Sequence, residues 1–94
     1  MTNLKIKNMT KLIKVTKQGK TYIVKLERVI VNNMLGINVM VFCDNENSEC
    51  VMRHFLDFSK HPADEIDKNI IKFSDHFDEK IALEWVEGYL DGKR

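Results

Sequence analysis

The chain predicts an α+β domain, a three-stranded antiparallel β-meander packed against two or three C-terminal helices. Three observations point there. Between Leu12 and Cys43, β-branched and aromatic residues alternate with polar ones at the two-residue period of a strand. Turn chemistry interrupts that run twice, around Gln18-Gly19 and from Asn32 to Gly36. Beyond residue 49 the apolar residues recur instead at three- and four-residue steps, the spacing of helices with one buried face.

The first strand is Leu12-Ile13-Lys14-Val15-Thr16, half polar as a strand with one wet face should be. Gly19 then supplies positive φ for a tight turn between Lys17 and Lys20. The second strand runs from Thr21 to Val31, with Tyr22, Val24 and Leu26 on one face and Ile23, Lys25 and Glu27 on the other. After Arg28 the parity blurs into consecutive Val29, Ile30 and Val31, which predicts a bulge near Glu27-Arg28 or burial on both faces. The third strand, Ile37 to Cys43, sets Ile37, Val39 and Val41 against Met40 and Phe42. Met40 and Phe42, on its second face, are the apolar residues to suspect of a homodimer contact.

A polar loop, Asp44-Asn45-Glu46-Asn47, precedes Ser48, whose hydroxyl suits a helix N-cap. Residues 50, 52, 54, 56 and 58 alternate as a strand would. Helical spacing is nonetheless the preferred reading for about 49–60, because Val51, Met52, Phe55 and Leu56 cluster and Glu49, Arg53 and Asp57 form an i,i+4 charge ladder. Pro62 fits the first turn of a second helix, with Ile66, Ile70 and Phe73 as its buried stripe and a break at Ser74-Asp75. The last helix carries Phe77, Ile81, Trp85 and Tyr89 at i,i+4 steps and ends at Gly92.

Length and composition narrow the classes. Ninety-four residues with 44% hydrophobic content and one proline make a single domain over 1–94, with 1–10 expected as a flexible N-terminus. No apolar run approaches the roughly 18 residues that cross a bilayer, and no secretory leader stands at Met1–Lys14, so no membrane partner is expected. Two cysteines are too few for a disulfide framework. Reduced thiols in a cytoplasmic location are the expectation.

Nothing in the chain marks an enzyme or a cofactor site. Cys43, Cys50, His54 and His61 are the one metal-like set, but their spacing lacks the close cysteine pair of common zinc sites, and ordinary thiols and surface histidines explain them better. A thiol nucleophile needs a lowered pKa and an orienting third group, and no signature for either surrounds the cysteines. The four glycines are scattered at 19, 36, 88 and 92, so there is no phosphate-cradling loop.

Charge is the informative feature. Residues 1–43 carry eight bases and one acid, whereas residues 44–94 carry seven bases and thirteen acids. Such asymmetry either cancels across one compact surface or marks a partner. Lys14, Lys17, Lys20, Lys25 and Arg28 fall on or around the predicted hairpin, where a basic ribbon can lie against phosphates and Tyr22 can stack. The carboxylates of the second half, displayed together, can instead imitate a phosphate backbone and occupy a cationic groove. Glu46, Glu49, Asp57 and Asp64 are the candidate contact acids.

Residues 28–58 resemble part of a small family of Cas9 inhibitors encoded by prophages of low-GC bacteria. The shared features are Val31-Asn32-Asn33, Gly36 opening a strand, Asn45-Glu46-Asn47-Ser48, and an apolar segment ending near Phe55 and Phe58. The resemblance implies a phage-type anti-CRISPR inhibitor that covers the cationic nucleic-acid surface of a host defence protein. The expectation is therefore a non-enzymatic binding protein with a host protein, a CRISPR effector among the candidates, as its partner. The alternative is a small nucleic-acid-binding or transcription-regulatory protein that uses the basic hairpin.

Overall fold

The computed structural model describes residues 10–44 and 49–92. The expected flexible start, Ser48 as a cap and Glu46 as a contact acid lie outside these residues, apart from Thr10. Strands β1 (Thr10–Lys17), β2 (Lys20–Val31), β3 (Met34–Cys43) and β4 (Cys50–Asp57) form one antiparallel sheet in the order β1-β2-β3-β4. A 3-10 turn (Ala63–Glu65) leads into α1 (Ile66–His76), followed by α2 (Glu79–Gly92).

Both predicted reversals form two-residue turns with positive φ at each central residue: Gln18 at 55° and Gly19 at 76°, then Asn32 at 52° and Asn33 at 66°. That geometry matches the right-handed twist of the strands it joins, and glycine and asparagine tolerate it best. The second turn is tighter than expected. β3 begins already at Met34, and Gly36 lies within the strand.

The principal correction to the sequence reading is the fourth strand. The segment read as a helix over 49–60 is β4, paired with β3 through Ile37↔Leu56, Val39↔His54 and Val41↔Met52. A spacing of four is a multiple of two as well as nearly one helical turn, so the ladder containing Arg53 and Asp57 fits one face of a strand equally well. Long-range pairing decided between them, because without β4 the hydrogen-bonding edge of the apolar strand β3 would be bare. The predicted bulge is also displaced. β2 keeps continuous register past Glu27 and Arg28, and the single register shift lies between Val41 and Phe42, opposite β4.

Both helices lie on the same face of the sheet. The core holds Val15, Tyr22, Val24, Leu26, Ile37, Val39 and Val41 from the sheet, with Ile70, Phe77, Ala82 and Val86 from the helical layer. The parity predicted for β2 is thus observed, with Tyr22, Val24 and Leu26 at 3%, 0% and 0% exposure. In α2 the deepest contacts come from Ala82 and Val86, and the larger Trp85 and Tyr89 are only partly buried. The break between the helices falls at Phe77-Asp78, three residues later than Ser74-Asp75. Phe77 is extended (φ −83°, ψ 97°) and drives its ring into the core, and Asp78 starts α2 by accepting the Ile81 amide at 3.0 Å.

Candidate functional site: the two faces of the sheet

The inward face draws in part of the basic half of the chain. Lys11 Nζ donates to the Ser74 carbonyl at 2.7 Å, near the C-terminal end of α1, where a cation complements the helix dipole. Lys17 Nζ lies 2.8 Å from Glu87 of α2. Arg28 Nε and Nη2 both reach Asp67 Oδ1 of α1 at 2.9 Å, with the Arg28 side chain 13% exposed. These three contacts stitch strand to helix across the layer. The charge asymmetry along the chain therefore cancels in part within the fold.

This separates the five bases expected to bind nucleic acid. Lys17 and Arg28 point toward the helices and hold carboxylates there. Lys14 and Lys25 point to the opposite face, and Lys20 sits at the turn. Lys14 approaches Asp44 at 3.8 Å and Lys25 approaches Glu27 at 4.0 Å, both long contacts that add little at the surface. Tyr22 is buried on the inward face, so its ring is not available for stacking on a base.

The candidate contact acids do not form one patch. Glu49 precedes β4 and its carbonyl accepts the Cys43 amide at 2.9 Å, whereas Asp57 ends the strand about 23 Å away by the strand rise. Asp64 lies in the 3-10 turn, exposed. Asp57 accepts hydrogen bonds from the Ser59 hydroxyl at 2.6 Å and the Ser59 amide at 2.8 Å. Those bonds hold its carboxyl below the usual carboxylate range. Asp57 is thus occupied in closing the turn after β4.

The thiols and imidazoles are spread out. Phe42, next to Cys43, pairs with Cys50, whose thiol contacts the Met52 carbonyl at 3.4 Å. His54 stacks at an angle on Trp85, with ring centroids 5.7 Å apart, and His61 lies 5.7 Å from Phe58. Among the described residues no group of three or more His, Cys, Asp or Glu side chains is placed to hold a metal ion.

The opposite face of the sheet has no layer packed on it among the described residues. Its side chains follow from the register. One row across the sheet is Lys14, Ile23, Phe42 and Cys50; the next is Leu12, Lys25, Met40 and Arg53; a third is Thr10, Glu27, Asn38 and Phe55. Leu12 is 64% exposed. Met40 is only 5% exposed although it lies outside the main core, flanked in register by Lys25 and Arg53, whose aliphatic stems can cover it. Gly36, in the following row, makes room for the Phe55 ring: a Cβ there would stand 2.9 Å from two ring carbons and would run into the Leu56 carbonyl.

The helical layer carries the opposite charge. Residues 60–92 hold nine carboxylates against four lysines. Asp64, Asp75, Asp78, Glu79 and Glu84 are exposed. No helix is long and apolar enough to cross a membrane among the described residues. No family model, curated protein or solved structure matches this chain.

Proposed function

We infer that this chain is a non-enzymatic protein of phage or mobile-element type that binds a host protein and inhibits it through an acidic surface carried by its helices. The target is a nucleic-acid-handling defence effector, with CRISPR effectors as the first class to test. The observation that carries this reading is the distribution of charge between the layers. Strand bases turn inward against Asp67, Glu87 and the end of α1, while the helices keep a surplus of five carboxylates over lysines. Carboxylates fixed on packed helices set up a negative potential that a cationic groove recognises without any reaction taking place. The resemblance over 28–58 supports the same class of target.

The contact surface moves from the set read along the sequence to the helices, with Asp64 retained and Asp75 and Glu84 added. The test is affinity capture of tagged protein from a lysate of its own host, with and without nuclease. The double variant Asp75→Lys, Glu84→Lys runs beside the wild type. Asp75 is close to the C-terminal end of α1, where a lysine suits the dipole, so the fold is expected to survive. A stoichiometric host protein that survives nuclease and is lost with the double variant is the expected result. Capture of nucleic acid alone, abolished by nuclease, would replace this reading with nucleic-acid binding through Lys14, Lys20 and Lys25.

A further inference from the structure

The uncovered face of the sheet has a pattern that reads the same under a two-fold rotation. Along β2 the outward residues run Ile23, Lys25, Glu27, Val29: apolar, base, acid, apolar. A two-fold axis lying between two such faces, and crossing the strands between Lys25 and Glu27, sets each β2 antiparallel over its copy. Lys25 then meets Glu27 of the second copy, and Ile23 meets Val29. The cross-strand register carries the axis on between Met40 and Asn38 of β3. Phe42 comes over the Gly36 position of the second copy, which is the position its Phe55 ring covers.

From these relations we propose that the bare face is the interface of an isologous homodimer, two sheets packed face to face with the helical layers outermost. Charge and area both favour a second copy as the occupant. The arrangement brings no two like charges opposite each other on β2 or β3, and every base of β2 on this face meets an acid. The face spans four strands, about 19 Å, by some 27 Å along them, roughly 500 Å² in plan. Side-chain relief brings the accessible area toward the roughly 800 Å² per partner of a standard stable interface. The antiparallel superposition is also the aligned packing that twisted sheets adopt. Nucleic acid fits less well, because Glu27 stands in the middle of the face and Lys14 and Lys25 both have carboxylates beside them.

The test uses the charge pair in trans. Lys25→Glu and Glu27→Lys are prepared separately, and sedimentation velocity and equilibrium are run on the wild type, on each variant and on their equimolar mixture. The wild type is expected to sediment as a dimer at micromolar concentration. Each single variant places two like-charge pairs in its homodimer and is expected to dissociate about tenfold or more readily. In the mixture every 25–27 pair across the interface is of opposite sign, so a heterodimer should return toward wild-type affinity. Thermal unfolding of each variant at dilute concentration reports separately on the Lys25–Glu27 contact within one chain. A monomeric wild type, or a dimer whose affinity neither variant changes, overturns the proposal. So does a mixture no tighter than its components.

Discussion

Gly36→Ala is the substitution whose cost the geometry specifies most fully. Gly36 lies within β3, between Val29 of β2 and Asp57 of β4, so neither neighbouring strand can move away without loss. Its missing Cβ leaves room for the Leu56 carbonyl and for two carbons of the Phe55 ring that would be 2.9 Å distant. The ring can swing aside, but the carbonyl belongs to the backbone of β4 and cannot. Relief therefore requires the end of β4 to shift, which endangers the pairing at Asp57 and the Phe58 amide bond to the Leu35 carbonyl at 2.9 Å. Forcing a methyl into a filled site costs about 1–3 kcal/mol, and each weakened hydrogen bond adds about 1 kcal/mol. A total of about 3 kcal/mol is a large part of the 5–15 kcal/mol that holds a typical domain. At about 4–8 °C per kcal/mol for a domain of this size, the melting temperature should fall by roughly 12–24 °C. Circular dichroism melts and urea titration measure it, with Gly88→Ala as the control. Gly88 lies inside α2 with nothing within 4 Å of an added Cβ, so that change should stabilise by about 0.5–1 kcal/mol. A Gly36→Ala protein that melts within a few degrees of the wild type would refute the close approach of β4 to β3. Repeating it in a Phe55→Ala background should recover only the share owed to the ring.

Two further outcomes follow from individual contacts. Asp78→Ala removes the carboxylate that accepts the Ile81 amide at the start of α2, and should cost about 1 kcal/mol, read as a lower urea midpoint with an unchanged slope. The Asp57 carboxyl, lowered by its two bonds from Ser59, should titrate below the ordinary carboxylate value of about 3.9 in a carbon-detected NMR titration, and Ser59→Ala should raise it. Because its folded pKa lies below the unfolded one, its contribution to stability is present above the unfolded value and fades as pH falls through the folded one.

What could be read along the chain were the local features, those that depend on neighbours in sequence. The two turns followed from Gly19 and from Asn32-Asn33, whose backbones accept positive φ. The inward parity of β2 and β3 followed from strict alternation, and the start of helix after Pro62 followed from its fixed φ. The weak points were those where one spacing serves two structures. Residues 49, 53 and 57 satisfy both a helix ladder and one face of a strand, and only the unpaired edge of β3 settles which forms. Phe77 displaced the helix break for a similar reason, since burying its ring outweighed the cap offered by Ser74.

The site shows the same division. The sequence by itself determined that the first half is basic, the second acidic, and that Met40 and Phe42 face away from Ile37, Val39 and Val41. It also determined that β2 alternates a base and an acid between apolar residues. Only the tertiary structure decided that Lys17 and Arg28 lie under the helices with carboxylates in reach, and that Glu49 and Asp57 stand at opposite ends of one strand. It alone left one sheet face bare. Charge along a chain is a sum that any sequence displays, whereas which charges meet depends on contacts between residues 39 to 70 positions apart, and those exist only once the layers have packed.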